Sequence, residues 1–302
     1  MGTNLDALAA RLPSRPLTRF APSPTGYLHL GHIVNAIYVW GLARALGGRV
    51  LLRIEDHDRL RSRREYEAAL LEDLEWLGFD ADVGPVRQSD EPDAYEDALA
   101  RLARTERVYA CDCSRKDIAA AALLAPGVEV PYSGRCRDRR LDAEAGCGLR
   151  VELTAGDEVF EDGRLGPQVQ APAAQCGDLL LRDRDGHWTY QFAVTVDDVR
   201  QRIDVVVRGE DLLSSTGRQI QLARMLGRAT PPVFVHHALL LKRSGEKLSK
   251  SSGDTGVREL RAAGVSAADA IGRAAAACGL LEKAQPVRAR DVGQLFRPHA
   301  AG

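Results

Sequence analysis

Three groups of residues have types and spacings that suit chemistry. His29 and His32 stand at positions i and i+3 where an apolar stretch begins, just after Pro22, Pro24 and Gly26 have turned the chain. A helix starting there offers free N–H groups and a partial positive charge, and two imidazoles beside it add hydrogen-bond donors, so the segment suits a phosphate. Arg19 and Ser23, a few residues upstream, belong to the same constellation. The second group is Lys247-Leu-Ser-Lys-Ser251, between Gly245 and Gly253. Two lysines on a glycine-flanked loop can close over a polyphosphate and stabilise charge as it develops. The third is Cys111-X-Cys113 followed by Cys136, a thiolate spacing that points towards a metal.

These groups need elements to hold them. Thr18 to Ala21 reads as a strand, and the apolar run from Ile33 to Leu46 as a helix stopped at Gly47-Gly48. Arg49-Val-Leu-Leu-Arg-Ile54 is a near-continuous apolar run, as expected of a buried parallel strand. Strand, helix, strand opens a doubly wound α/β fold, and Glu55-Asp56-His57-Asp58 then falls at the carboxyl end of a strand, facing the usual ligand crevice. Helical stripes follow over 65–77 and 92–104, then a strand at 108–111. From Cys111 the helical period fades and short strands (149–153, 158–161) replace it, which suggests an insertion. Asp185-Gly186 reads as the turn of a hairpin between 178–182 and 187–192, and 194–200 as a helix. Strands are expected at 203–207, 233–235 and 238–241, and a helix capped by Ser214 or Ser215. Two alanine-rich helices, 257–263 and 267–280, precede a short tail. Residues 1–16 read as a loosely held lead-in.

The chain has 302 residues, 45% hydrophobic and 27% charged, which is enough for a full core and ordinary for a globular protein. A net charge of −1 gives no global pull towards nucleic acid or membrane, so any such contact must be local. No apolar run approaches the length of a membrane helix, and the N-terminus lacks the pattern of a secretory signal. A cytoplasmic protein with no membrane contact is expected, and its six cysteines are not a disulfide framework. Cys176, Cys278, His236 and His237 read as structural residues.

The run Arg19-Phe-Ala-Pro-Ser-Pro-Thr-Gly-Tyr-Leu-His-Leu-Gly-His32, followed by Arg53-Ile-Glu-Asp56, Arg208-Gly-Glu-Asp-Leu-Leu-Ser-Ser215 and Lys247-Leu-Ser-Lys-Ser251, resembles class I aminoacyl-tRNA synthetases of the glutamyl/glutaminyl branch. The likeness runs from residue 18 to about residue 280, with the motifs in the family's order. The segment after Ser251 is too short for the large helical anticodon-binding domain of glutamyl-tRNA synthetases. The chain therefore looks like the stand-alone glutamyl-queuosine tRNA(Asp) synthetase family. That family activates glutamate with ATP without tRNA and attaches it to the queuosine base at the wobble position of tRNA(Asp). Charging the 3′ end of tRNA(Glu), or silent binding of RNA or glutamate, are the alternatives.

The resemblance implies a Rossmann-like doubly wound catalytic domain in two halves, 17–110 and 177–256. A zinc-bearing insertion lies between them at 111–176, and a short helical segment and tail at 257–302. It implies a glutamate site from Arg19, Phe20, Ala21, Pro22, Ser23, Glu55, Tyr190 and Arg208. An arginine can grip a carboxylate in bidentate fashion, and a glutamate can accept an ammonium. His29 and His32 would line the phosphates of ATP, which binds with Mg²⁺. Lys250 would contact ATP, and Lys247 would support loop closure. Cys111, Cys113, Tyr132 and Cys136 would hold one structural Zn²⁺, with Cys147 as the competing fourth ligand. The expected partners are ATP, L-glutamate and tRNA(Asp) carrying queuosine, and the protein is expected to be a monomer. The basic runs 59–64 and 135–140 are candidates for the tRNA backbone, the second the better one.

Overall fold

A computed structural model describes residues 4–58, 61–120, 129–142, 146–240 and 256–297. Its opening unit is β1 (Leu17–Phe20), α2 (Leu30–Ala45) and β2 (Arg49–Ile54), preceded by a short α1 (Leu5–Ala9). The two strands pair in parallel with Leu17 opposite Arg49 and Phe20 opposite Leu52. α2 is apolar on nearly every face and is covered on nearly every face. One cover is a 3₁₀ stretch, Ala289–Phe296. A Cβ placed at Gly41 would sit 2.1 Å from the Phe296 ring, so the glycine makes room for that ring against the helix. The tail is thus part of the core, and α1 is anchored as well, since Leu8 is buried. Burying side chains such as Val292 and Phe296 contributes about 1.5–3 kcal/mol each.

The chain continues through α3 (Arg64–Leu77), β3 (Val83–Arg87) and α4 (Pro92–Thr105). Then come β4 (Val108–Cys111), α5 (Arg115–Ala120), β5 (Gly148–Val151), β6 (Glu158–Asp162), β7 (Gly166–Gln170), α6 (Pro172–Cys176) and β8 (Leu179–Arg182). The second half of the main sheet comes from β9 (Val205–Gly209) and β10 (Val233–His237); α8 (Thr216–Met225) sets Ile220 against Val206 and Phe234 of these strands, and α7 (Tyr190–Arg200) packs on α8. α9 (Val257–Ala262) and α10 (Ala267–Ala277) close the described chain together with the 3₁₀ stretch.

Strand order in the main sheet is β3-β2-β1-β9-β10-β6-β7, and every pairing except β6 with β7 is parallel. The order reverses between β1 and β9, so the crevice of this α/β fold opens at the carboxyl ends of those two strands. A small antiparallel sheet, β4-β5-β8, stands beside it. The 111–176 stretch is therefore shared between two sheets. Its first part builds the small sheet, while the β6–β7 hairpin returns to the edge of the main one.

Several local expectations are corrected. Residues 187–192 are not a strand. The hairpin shrinks to one bridge, Arg182 to Trp188, and Tyr190 starts a helix whose N-cap, Thr189, accepts the Phe192 N–H at 3.4 Å. Ala238 to Leu240 is irregular. Ser215 precedes α8 without a side-chain cap, after a 3₁₀ stretch at Glu210–Ser215. β3 and β7 escape the sequence reading because both are edge strands of low hydrophobicity carrying proline.

Candidate active site

α2 begins three residues earlier than its apolar run suggests, and this makes His29 its N-cap. His29 Nδ1 accepts the Gly31 N–H at 3.1 Å, and His32 Nδ1 accepts the His29 N–H at 3.1 Å. The two imidazoles thus form a reciprocal cap, with ring centroids 4.0 Å apart. Because each Nδ1 accepts, each ring's proton sits on Nε2, a donor directed away from the helix start. Both rings line a crevice of about 290 Å³, together with Arg19, Glu55, Tyr190 and Arg208.

The β1 side of this crevice is a network of paired charges. Arg53 is fully buried. It donates to Asp198 Oδ1 at 2.8 Å, Gln201 Oε1 at 2.8 Å and Glu55 Oε1 at 3.0 Å. Arg19 donates to the same Asp198 oxygen at 3.2 Å and to the Val207 carbonyl at 3.3 Å. Burial would raise Asp198, but the two arginines outweigh it and hold the carboxylate below its ordinary value. Glu55 goes the other way. Its burial dominates over Arg53, Arg19 and His57, and the carboxyl is pushed up. Gln88 ties this segment down, bonding His57 Nδ1 at 2.6 Å and donating to Asp197 at 2.7 Å.

The β9 side differs. Arg208 is buried, and its Nε–H donates to His236 Nε2 at 3.0 Å. Its terminal nitrogens donate to Gln219 Oε1 at 2.7 Å and Thr216 Oγ1 at 2.8 Å. Among the described residues none of these acceptors is a carboxylate. Burial, reinforced by the charge of Arg19, holds Arg208 below the ordinary arginine value. The Tyr190 hydroxyl is pushed up, first by burial and then by the charge of Glu55.

Of the residues expected at the glutamate site, the structure gathers Arg19, Ala21, Glu55, Tyr190 and Arg208 around the crevice. Phe20 is a correction: its ring packs on Trp40 in the core, 5.1 Å away, because side chains alternate along β1. Pro22 is buried too, and its carbonyl accepts the Glu55 N–H at 3.0 Å, so it registers one loop against another. Ser23 lies on a second cleft, about 860 Å³, which shares Glu55 and Tyr190 with the first and extends past His57 and Trp188 to Cys111 and Arg150. Lys247 and Lys250 lie outside the described residues. The described chain resumes at Gly256, which bridges His29, and the Val257 N–H donates to the Leu28 carbonyl at 3.0 Å. His237 is also a correction: it lines the crevice and bonds Asn35 at 3.0 Å. Asp198 and Asp162 are participants that the sequence reading missed, while Arg53 entered it only as part of a motif and His236 only as a structural residue. The available signal was Arg53 itself, a charge inside an apolar strand, which demands buried partners.

Cys111, Cys113 and Cys136 converge, with all three Sγ atoms within 4.8 Å of one another. Cys113 and Cys136 Sγ are 3.5 Å apart, and the Tyr132 hydroxyl is 3.4 Å from Cys111 Sγ. Cys147 falls outside this group. Burial raises Cys111, but hydrogen bonds from Tyr132 and Arg150 outweigh it and bring the thiol below its ordinary value, which favours a ligating thiolate. The donor set therefore fits a soft or borderline metal ion. Two arginines of the basic run 135–140 are engaged within the chain. Arg137 grips Asp178 through two bonds of 3.0 and 2.9 Å, and Arg139 donates to Asp112 at 2.7 Å. These two charges brace the thiol group, Arg139 also reaching Cys136 Sγ at 3.5 Å.

Residues 17–267 match the family model described as tRNA synthetases class I (E and Q), catalytic domain. The chain is 41% identical over 274 residues to the glutamyl-Q tRNA(Asp) synthetase of Rhodobacter capsulatus, covering 84% of this chain and 97% of that one. It is 40% identical over 269 residues to glutamate–tRNA ligase 2 of Syntrophus aciditrophicus, covering 83% of this chain but only 55% of that ligase. Among solved structures, a glutamate tRNA ligase from Elizabethkingia meningosepticum in complex with its amino acid superposes with a TM-score of 0.74 at 26% identity, covering 95% of this chain and 66% of that one. No described helix is long and apolar enough to cross a membrane. With its crevice, its capped histidines and these matches together, the chain belongs to the class I tRNA synthetases of the E and Q branch, among the glutamyl-Q tRNA(Asp) synthetases.

Proposed function

We propose that the protein activates glutamate with ATP in the absence of tRNA and then transfers the glutamyl group to the queuosine base of tRNA(Asp). The observation that carries this is the pairing inside one crevice of a carboxylate-seeking Arg208 with Glu55, beside a helix start that presents two imidazole donors. Arg208, with Tyr190 next to it, takes the side-chain carboxylate of glutamate, and Glu55 takes its ammonium. Arg19, held by Asp198, presents its remaining N–H groups to the same substrate. The α-carboxylate then attacks the α-phosphate of ATP in line and pyrophosphate leaves. The chain does little covalent work in this step. It positions the reactants and stabilises charge through His29, His32, the first turn of α2 and Lys250. Mg²⁺, bound with ATP, neutralises phosphate charge. The second cleft, which meets the crevice at Glu55 and Tyr190, gives the acceptor base a route to the adenylate.

Cys111, Cys113, Cys136 and Tyr132 would hold a structural Zn²⁺ that ties the small sheet to the loop before β5. Zinc analysis of purified protein should find one ion per chain, lost on Cys136→Ser. Retention of a full equivalent in that variant would remove Cys136 from the ligand set.

The decisive experiment is pyrophosphate exchange into ATP with glutamate and no tRNA, followed by labelled glutamate offered to tRNA(Asp) with and without queuosine. Exchange without tRNA and label only on queuosine-bearing tRNA are expected. A strict tRNA requirement would favour charging of a 3′ end, and label regardless of queuosine would remove the proposed acceptor.

A further inference from the structure

Arg208 depends on a dyad that lies behind it. His236 and Asp162 are both buried, on β10 and at the end of β6, and the two strands pair at Phe234 and Asp162. His236 Nδ1 lies 2.7 Å from Asp162 Oδ2. The other carboxylate oxygen accepts the N–H groups of Arg164 at 3.0 Å and Leu165 at 2.9 Å. A carboxylate so placed accepts a hydrogen bond from Nδ1–H, which keeps the ring's proton on Nδ1 and leaves Nε2 with a lone pair, the tautomer that can accept from Arg208. The opposite tautomer would turn an N–H against the guanidinium. Thr216 Oγ1, 3.3 Å from the same Nε2, completes the cage. The arrangement fixes the plane of Arg208, and among the described residues none of its hydrogen-bond acceptors is a carboxylate.

We infer that the Asp162–His236 dyad is a positioning device for substrate selection: it locks a neutral acceptor tautomer behind Arg208, so that the substrate's side-chain carboxylate supplies the missing counter-charge. Glutamine, the neutral amide, leaves the buried guanidinium uncompensated, and this is the discrimination the dyad serves. A carboxylate at position 236 would fill the same place and abolish it. The inference also gives the β6–β7 hairpin a task, since pairing β6 to β10 is what delivers Asp162. It rests on the glutamate-site reading of Arg208.

The test uses His236→Leu, His236→Gln and Asp162→Asn in the full chain, read by glutamate-dependent pyrophosphate exchange and by calorimetric glutamate binding. His236→Leu should raise the glutamate KM and Kd about tenfold or more, as expected for loss of a hydrogen bond to a charged group. The ATP KM should change by less than about twofold, and the ratio of glutamate to glutamine use should fall by about tenfold. His236→Gln, whose amide oxygen reaches near the Nε2 position, should recover most of that loss. Asp162→Asn should act in the same direction as His236→Leu and add little in the His236→Gln background, because the tautomer no longer matters there. Equal losses in His236→Leu and His236→Gln, or losses shared with the ATP KM, would overturn the inference and leave plain packing. If His236→Leu does not fold, Asp162→Asn against His236→Gln decides by the same criterion. Wild-type protein that binds glutamate but exchanges no pyrophosphate would instead overturn the catalytic reading, and the Kd values would still test the dyad.

Discussion

The two sides of the crevice treat arginine in opposite ways. On the β1 side Arg19 and Arg53 share Asp198, with Glu55 and Asp197 close by, so positive charge meets negative charge inside the protein. On the β9 side Arg208 is just as buried, but imidazole, amide and hydroxyl are its acceptors. The first arrangement satisfies itself and builds a rigid wall. The second holds a guanidinium in place and leaves its charge to be balanced by whatever binds. Folding and recognition thus draw on the same residue type, and the partner's charge decides which purpose is served.

Breaking each side separately should expose the difference. Asp198→Ala leaves two buried arginines without their shared carboxylate, and should destabilise the fold by about 3–5 kcal/mol, read from denaturant unfolding. Arg208→Gln strands no carboxylate among the described residues. It should leave the unfolding free energy within about 1 kcal/mol of wild type while lowering kcat/KM for glutamate by about 1.5–3 kcal/mol in exchange assays. If the two variants exchanged these effects, the contrast would be wrong. The smallest expected effect sharpens the picture within the β1 wall. Glu55 takes up a proton at higher pH than an ordinary carboxylate, because burial favours its neutral form. An acceptor for the substrate ammonium must be ionised. kcat/KM for glutamate should therefore fall as pH is lowered through that raised value, above the range where exposed carboxylates titrate. Glu55→Gln should be poor at every pH and lack this limb. A profile unchanged by that substitution would detach Glu55 from the ammonium.

Much of the crevice was legible in the chain. The capped histidines follow from local rules, since prolines, a glycine turn and an apolar run together mark a helix start. Glu55 and Arg208 stand at strand ends, where the fold class places ligand-facing groups. What stayed hidden was long-range. Nothing near Asp162 or Asp198 in sequence shows that either meets an imidazole or an arginine from a distant strand. Tyr190 falls in an expected strand because Asp185-Gly186 signals a hairpin turn, and only the Thr189 cap reveals the helix. The β6–β7 hairpin looked like part of an insertion because its pairing to β10 depends on tertiary context that polarity does not record. The arginines of 135–140 looked free for RNA because Asp112 and Asp178, which hold two of them, come from other strands and loops.

The bridge between Gly256 and His29 carries a consequence for the cap of α2. His29 is held from two directions, by the first turn of its own helix and by the strand-like contact with the residue that precedes α9. The Val257 N–H, donating to the Leu28 carbonyl at 3.0 Å, doubles that fastening one residue along. The start of α9 is thus a buttress for the imidazole wall, and a disturbance at Gly256 would reach the two histidines without altering any residue that lines the opposite, arginine-bearing side of the crevice.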